Sequence, residues 1–125
     1  MADYGVLLYG YSKEDMEKIK GIISGAIDAD VDVISASGME DEQVNEILEK
    51  GDEEHFLEGE TKILMFLGEF TDKMLQASMQ AMPTDGEIAR PIFCTLTQKN
   101  FQWTFTELIE DLKKEEAYWK EQKDE

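Results

Sequence analysis

The sequence has little of what most catalytic and metal-binding sites need. Its 125 residues include one cysteine, one histidine and two prolines. A single cysteine, Cys94, excludes an internal disulfide and suits a reducing compartment, so we expect a cytoplasmic location. The longest apolar run, 63–67, is far too short to span a bilayer. The first residues also lack the basic and apolar parts of a secretory signal.

Positive charge is also scarce. Twelve lysine and arginine residues stand against 29 aspartate and glutamate residues, which gives a net charge of −17. A protein with that field repels phosphate backbones and anionic lipid surfaces. The composition therefore argues against binding to nucleic acid or to a membrane. The excess of acidic residues favours binding to a basic protein partner, or it only increases solubility.

Apolar runs of strand length alternate with helical patterns along the chain. Hydrophobic residues make up 42% of the sequence, enough for one packed domain over 1–125. The runs 5–9, 30–34, 62–67 and the stretch after Pro91 predict four strands. The segments between them carry apolar residues three and four apart, as amphipathic helices do. This alternation predicts an α/β fold, a small three-layer sandwich with a four-stranded, mostly parallel sheet in the order 2-1-3-4 and helices on both faces.

Capping signals predict where the helices begin. Ser12, Ser37 and Thr71 each precede an amphipathic segment, and Ser37 has Glu40 three residues later, the pattern of a capping box. Two glycines one turn apart in the first helix, at 21 and 25, indicate either close packing or a tolerated cost of about 1 kcal/mol each.

A long C-terminal helix is predicted at about 98–122, and it has two possible starts. Thr97 is one candidate cap, and Thr104, with Glu107 completing a capping box, is the other.

The loops after three of the strands are the predicted ligand site. Ligands of open parallel sheets bind beyond the carboxyl ends of the strands, where the strand order reverses. Here that point lies between the first and third strands, with the fourth strand beside them. The candidate cleft residues are Gly10, Tyr11, Ser12, Gly68, Glu69, Thr95, Thr97, Gln98 and Asn100. The helix start beyond the fourth strand could hold a small anion, although capping alone also explains its threonines and asparagine.

No motif in the sequence predicts a metal site, a cofactor or a catalytic residue. Acidic residues at 28, 30 and 32 open like a calcium-binding loop, but Val33 and Met39 stand where that loop needs glycine and glutamate. His55 lies in an acidic stretch typical of a solvated loop. Cys94 lies in an apolar strand far from any histidine in the sequence, as a small hydrophobic residue does. The glycines do not have the spacing of a phosphate-binding loop.

Three aromatic residues form the candidate interaction surface: Trp103, Tyr118 and Trp119. Trp103 either packs on Leu108 beside the helix start or anchors a partner. The helix end is expected to extend past the body of the domain. Its adjacent aromatic pair then contacts a partner or a second copy, or folds back onto its own flank.

The last stretch of the chain resembles a known family. The pattern consists of Pro91-Ile-Phe followed by Thr97, Asn100, Trp103, Leu108, Leu112 and Glu115. It is similar to the uncharacterised prokaryotic family called domain of unknown function 3783, as is the opening Leu7-Leu-Tyr-Gly-Tyr-Ser12. Cys94 stands where that family usually has a small apolar residue. The resemblance implies no activity, cofactor or catalytic residue.

The sequence therefore predicts a non-catalytic, cytoplasmic domain that binds another protein or a second copy of itself. The alternative is a small-ligand or anion sensor, or a minor enzyme, that uses the cleft at the carboxyl ends of strands 1, 3 and 4.

Overall fold

The four predicted strands form one mixed sheet with helices on both of its faces. The computed structural model describes residues 4–82, 88 and 91–123, with the backbone alone for 116–123. In chain order the elements are β1 (Tyr4–Tyr9), α1 (Lys13–Ile27), β2 (Val31–Ser35), α2 (Val44–Lys50), β3 (Ile63–Gly68), α3 (Asp72–Ala81), β4 (Ile92–Thr95), a 3₁₀ turn (Asn100–Gln102) and α4 (Phe105–Lys123). The strand order is β2-β1-β3-β4, which confirms the predicted order 2-1-3-4.

The two central strands run in opposite directions. β1 pairs with β3 in antiparallel register, with Tyr4 opposite Gly68 and Tyr9 opposite Ile63. The outer pairs, β1 with β2 and β3 with β4, are parallel. The sheet is therefore mostly parallel, as predicted. Because β1 and β3 run in opposite directions, their carboxyl ends lie at opposite ends of the sheet along the strand direction.

The strand directions divide the fold into two βαβα halves. The first half is β1-α1-β2-α2 and the second is β3-α3-β4-α4. Matching features recur in both. β1 is followed by Gly10 with φ 87° and β3 ends on Gly68 with φ 89°. Ser12 accepts the backbone N–H of Asp15 at 3.3 Å, and Thr71 caps α3 in the same way. The predicted caps of α1 and α3 are confirmed.

The predicted cap at Ser37 is wrong. α2 begins at Val44, after Gln43, whose backbone N–H donates to the Glu46 carboxylate at 3.1 Å. Ser37 is buried, and its hydroxyl accepts the backbone N–H of Leu57 at 3.0 Å instead. The Ser37 hydroxyl, which the local pattern assigned to a helix cap, therefore forms a tertiary hydrogen bond instead.

The starts of α2 and α4 lie side by side. Gln43 and Thr104 form an isolated antiparallel bridge. Of the two predicted starts for α4, the structure shows Thr104, which accepts the N–H of Glu107 while the Glu107 carboxylate accepts the N–H of Thr104, both at 3.2 Å. α4 therefore begins at Phe105 and not near residue 98.

Each face of the sheet carries its own core. α1 and α3 cover one face, where the buried residues include Val6, Leu8, Ile19, Ile23, Leu64 and Phe66. α2 and α4 cover the other face, where they include Leu7, Val44, Ile47, Met65, Phe105 and Leu108. Full burial of each such side chain is worth about 1.5–3 kcal/mol. This is the predicted three-layer arrangement.

The acidic segment after α2 wraps the outer edge of β2. The backbone N–H of Ser35 donates to the carbonyl of Asp52 at 2.6 Å, and the Ser35 hydroxyl donates to the carbonyl of His55. Phe56 then enters the core on the α1 side, where it is 9% exposed. The buried ring of Phe56 holds the loop in place.

Two glycine substitutions test this description. At Gly10 an added Cβ would lie 2.0 Å from the carbonyl oxygen of Thr61, and φ is positive. Gly10→Ala should lower the free energy of unfolding by more than about 2 kcal/mol. Gly25 has no heavy atom within 4 Å of its Cβ position, as is also true of Gly21. The close-packing interpretation of this pair is therefore wrong. Gly25→Ala is the matched control and should raise stability by about 0.5–1 kcal/mol. Equal effects in urea unfolding would contradict the structure.

Candidate functional site

The predicted cleft residues are divided between the two ends of the sheet. Gly10 and Ser12 follow β1 at one edge of the sheet, whereas Gly68 lies at the opposite edge with the end of β4. The Gly10 end is also closed by protein, because the carbonyl of Gly10 accepts the N–H of Gly59 at 3.0 Å and Tyr11 is 1% exposed. The cleft between strands 1 and 3 required both strands to point the same way, and they do not.

The polar loop after β4 is braced by Asn100. This residue is 8% exposed, and its side-chain oxygen accepts the N–H of Thr97 at 2.8 Å. Its side-chain amide donates to the carbonyl of Thr95 at 3.1 Å, and its backbone N–H donates to the Thr97 hydroxyl at 3.1 Å. Hydrogen bonds within the loop thus account for its threonine and asparagine.

A shallow hollow remains beside that loop. Its volume is about 440 Å³, and its lining includes Gln98, Phe101 and Gln102. Phe101 is 41% exposed, and its carbonyl accepts the side-chain amide of Asn45 at 2.9 Å. Glu69, predicted for the same cleft, is exposed just after β3.

Trp103 belongs mainly to the core. It is half-buried and packs in the cluster that contains Phe105 and Leu108, as the hydrophobic-staple interpretation predicts. Its carbonyl accepts the backbone N–H of Val44 at 2.8 Å. The Lys99 ammonium lies 5.7 Å from the centre of its ring. Only part of Trp103 is therefore available to a partner.

Leu112 is the last residue of α4 whose side chain is described as buried, at 6% exposed. The next three residues are exposed, and the charge of Glu115 still acts on the thiol of Cys94. The helix continues to Lys123, so Tyr118 and Trp119 lie on helical backbone. The side chains of these two predicted interaction residues lie outside the described part of the structure.

A groove at the carboxyl end of α2 is a feature that the sequence did not predict. This α2 groove has a volume of about 520 Å³ and opens between α2 and the ends of β1, β2 and β3. Its apolar lining comes from Tyr4, Ile34, Leu48 and Leu67. The only hint in the sequence is the short helical pattern that stops at Gly51.

The rim of the α2 groove is acidic. Asp32, Glu49 and Glu53 line it, and its described lining contains no lysine or arginine. Glu49 and Glu53 are exposed. The nearby Lys50 forms an ion pair with Glu42. The groove therefore combines an apolar lining with carboxylates at its mouth.

The histidine of the acidic segment has a structural contact. Its ring Nδ1 lies 3.0 Å from a carboxylate oxygen of Asp52. The pKa of Asp52 is lowered, first by the hydrogen bond from the backbone N–H of Glu54 and then by bonds from His55. Among the residues that the structure describes, no group of three histidine, cysteine or acidic side chains is placed to hold a metal ion.

Cys94 is held in its protonated form. Burial raises the pKa of its thiol to about 12, and the negative charge of Glu115 adds to the effect. A thiol is a poor nucleophile at neutral pH under these conditions, because the thiolate is the reactive species.

Comparison with known proteins connects one half of this fold to a family. Residues 64–119 match the model described as Domain of unknown function (DUF3783). The match confirms the resemblance predicted for the last stretch of the chain, whereas the opening at 7–12 lies outside the matched residues. It covers β3, α3, β4 and most of α4, which is the second βαβα half. No curated protein and no solved structure matches the chain. None of the described helices is both long and apolar enough to cross a membrane.

Removal of the Asn100 side chain tests whether the loop after β4 is a structural element. Asn100→Ala should lower the free energy of unfolding by about 2–4 kcal/mol, because the N–H of Thr97 and the carbonyl of Thr95 lose their partner. The exposed neighbour Gln98→Ala should change it by less than about 0.5 kcal/mol. Urea denaturation measures both, and a neutral Asn100→Ala would contradict the bracing role.

The protonation of Cys94 has a chemical consequence. At pH 8 a thiol-reactive aromatic disulfide should label the native protein slowly and the urea-unfolded protein at once, because the folded thiol has a pKa of about 12. A Cys94→Ala/Gln98→Cys variant, whose thiol is placed at an exposed site, is the control and should react rapidly when folded. Rapid labelling of native Cys94 would contradict its assignment as an inert core residue.

Proposed function

We propose that this chain is a non-catalytic protein-interaction domain that associates with a copy of itself. The observation that carries the proposal is the α2 groove. The groove has a volume of about 520 Å³, and its lining includes Ile34, Leu48 and Leu67. Its apolar floor is open to solvent, as protein contact surfaces are.

The chemistry of the groove favours a protein segment over a small metabolite. A metabolite site normally has several polar groups that converge on the ligand. The α2 groove instead has side chains of Ile34, Leu48 and Leu67 below carboxylates at its rim. Such a surface suits an apolar side chain flanked by lysine or arginine, because burial of the apolar group and attraction of the cations act together.

The reactive side chains of the described residues have structural roles, which supports a binding function. Cys94 is protonated in the core, and His55 contacts Asp52 on a surface loop. Thr97 and Asn100 brace each other. A cysteine kept as a thiol also fits the cytoplasm, where we place the protein.

Self-association is measured by size-exclusion chromatography with light scattering. We expect a mass twice the 14.3 kDa of the chain, and dissociation at raised salt, because charge attraction contributes to the contact. Trp119→Ala should weaken the dimer, since buried tryptophan residues often dominate interface energies.

The control for that variant is Leu57→Ala, which removes an apolar side chain that is 64% exposed on another surface and should leave the dimer unchanged. A wild-type protein that stays monomeric at millimolar concentration would contradict the proposed function.

A further inference from the structure

We propose that the aromatic ring of Phe101 in one copy docks into the α2 groove of a second copy, with Lys99 beside the carboxylates of Glu49 and Glu53. Two such contacts, related by symmetry, form a dimer. The inference rests on the proposed function and identifies the two surfaces that meet. Four exposed residues of the 3₁₀ turn and the loop before it are called the Phe101 patch: Gln98, Lys99, Phe101 and Gln102.

Phe101 is a large apolar side chain at the surface. It is 41% exposed, and Leu57 is the only other large hydrophobic residue that is exposed in the described part of the chain. The backbone of Phe101 is fixed, because its carbonyl accepts the Asn45 side-chain amide at 2.9 Å and its N–H donates to the Thr97 carbonyl at 3.0 Å. A side chain presented on a fixed backbone loses less conformational entropy when it docks.

The Phe101 patch lies in the part of the sequence that is poorest in negative charge. Two copies with a net charge of −17 repel each other, so the carboxylates of one copy must meet a surface of the other that has few. Residues 88–106 are the longest stretch without aspartate or glutamate, and Lys99 is the only charged residue within 91–106. The hollow beside the patch is lined by uncharged residues: Leu96, Thr97, Gln98, Phe101 and Gln102.

The α2 groove complements the Phe101 patch in polarity and in charge. Its apolar lining suits an aromatic ring, and the carboxylates of Glu49 and Glu53 at its rim suit the ammonium of Lys99. The other exposed apolar residue, Leu57, is followed at once by Glu58 in an acidic segment, so the rim would repel it. Charge therefore favours Phe101 over Leu57 as the occupant.

The two surfaces lie at opposite ends of α2. Asn45, in the first turn of the helix, holds Phe101, whereas the carboxyl end of the helix supplies Leu48, Glu49 and Gly51 to the groove. The 7 residues of α2 span about 10 Å. A two-fold axis across the middle of α2 reverses the helix in the second copy and brings the patch of each copy to the groove of the other. The contact therefore closes into a dimer.

Reversal of charge tests the pairing. The variant Glu49→Lys/Glu53→Lys reverses the rim, and Lys99→Glu reverses the patch. Each alone should weaken the dimer at least about tenfold, because like charges then meet at both contacts. An equimolar mixture of the two variants should form a heterodimer close to wild type in affinity, because each contact again joins opposite charges. Analytical ultracentrifugation at low salt measures all three samples.

Removal of the ring tests the apolar part of the contact. Phe101→Ala should also weaken the dimer at least about tenfold, because aromatic side chains in pockets dominate interface energies. The variant keeps the backbone hydrogen bonds to Asn45 and Thr97, so the turn stays in place. Circular dichroism confirms that each variant is folded.

The control Glu58→Lys/Glu60→Lys makes the same change of charge as the rim variant, at exposed positions beside Gly10 and away from the groove. It should dimerise like wild type. A wild-type dimer that is indifferent to Phe101→Ala or to both reversals overturns this inference and leaves the proposed function standing. Two monomeric charge variants that fail to restore each other also overturn it. A monomeric wild type overturns both.

Discussion

The antiparallel pairing of β1 and β3 determines how the two βαβα halves are arranged. It joins six residues of each strand, from Tyr4 opposite Gly68 to Tyr9 opposite Ile63. Both strands are covered on both faces, so this pair lies between the two cores. Its direction turns the second βαβα half around relative to the first. The bridge between Gln43 and Thr104 then brings the starts of α2 and α4 together on one face.

The functional proposal follows from a difference between these two otherwise similar halves. The half that matches DUF3783 ends in a helix of 19 residues, and the other half ends in one of 7. The α2 groove opens at the end of the short helix and combines an apolar lining with carboxylates at its rim. This open apolar surface is the feature that supports the proposed association.

Local signals in the sequence predicted most of the fold. Ser12 and Thr71 cap their helices because each side chain meets an N–H only three residues away. Ser37 has the same local pattern, but the distant Leu57 N–H takes its hydroxyl. The apolar residues of β3 can pair with β1 in a parallel or an antiparallel direction, so they do not indicate which way the strand runs. The predicted cleft depended on a parallel direction, and its residues are therefore separated in the structure. The α2 groove was missed because it depends on where a helix stops relative to a sheet.

The direction of β3 relative to β1 separates Gly10 from Gly68 and brings the end of β3 to the α2 groove. Nuclear Overhauser effects between backbone protons of the two strands measure this direction in solution. We expect contacts between Tyr4 and Gly68 and between Tyr9 and Ile63, as in the antiparallel register. Contacts between Tyr4 and Ile63, the pairing of a parallel sheet, would contradict it.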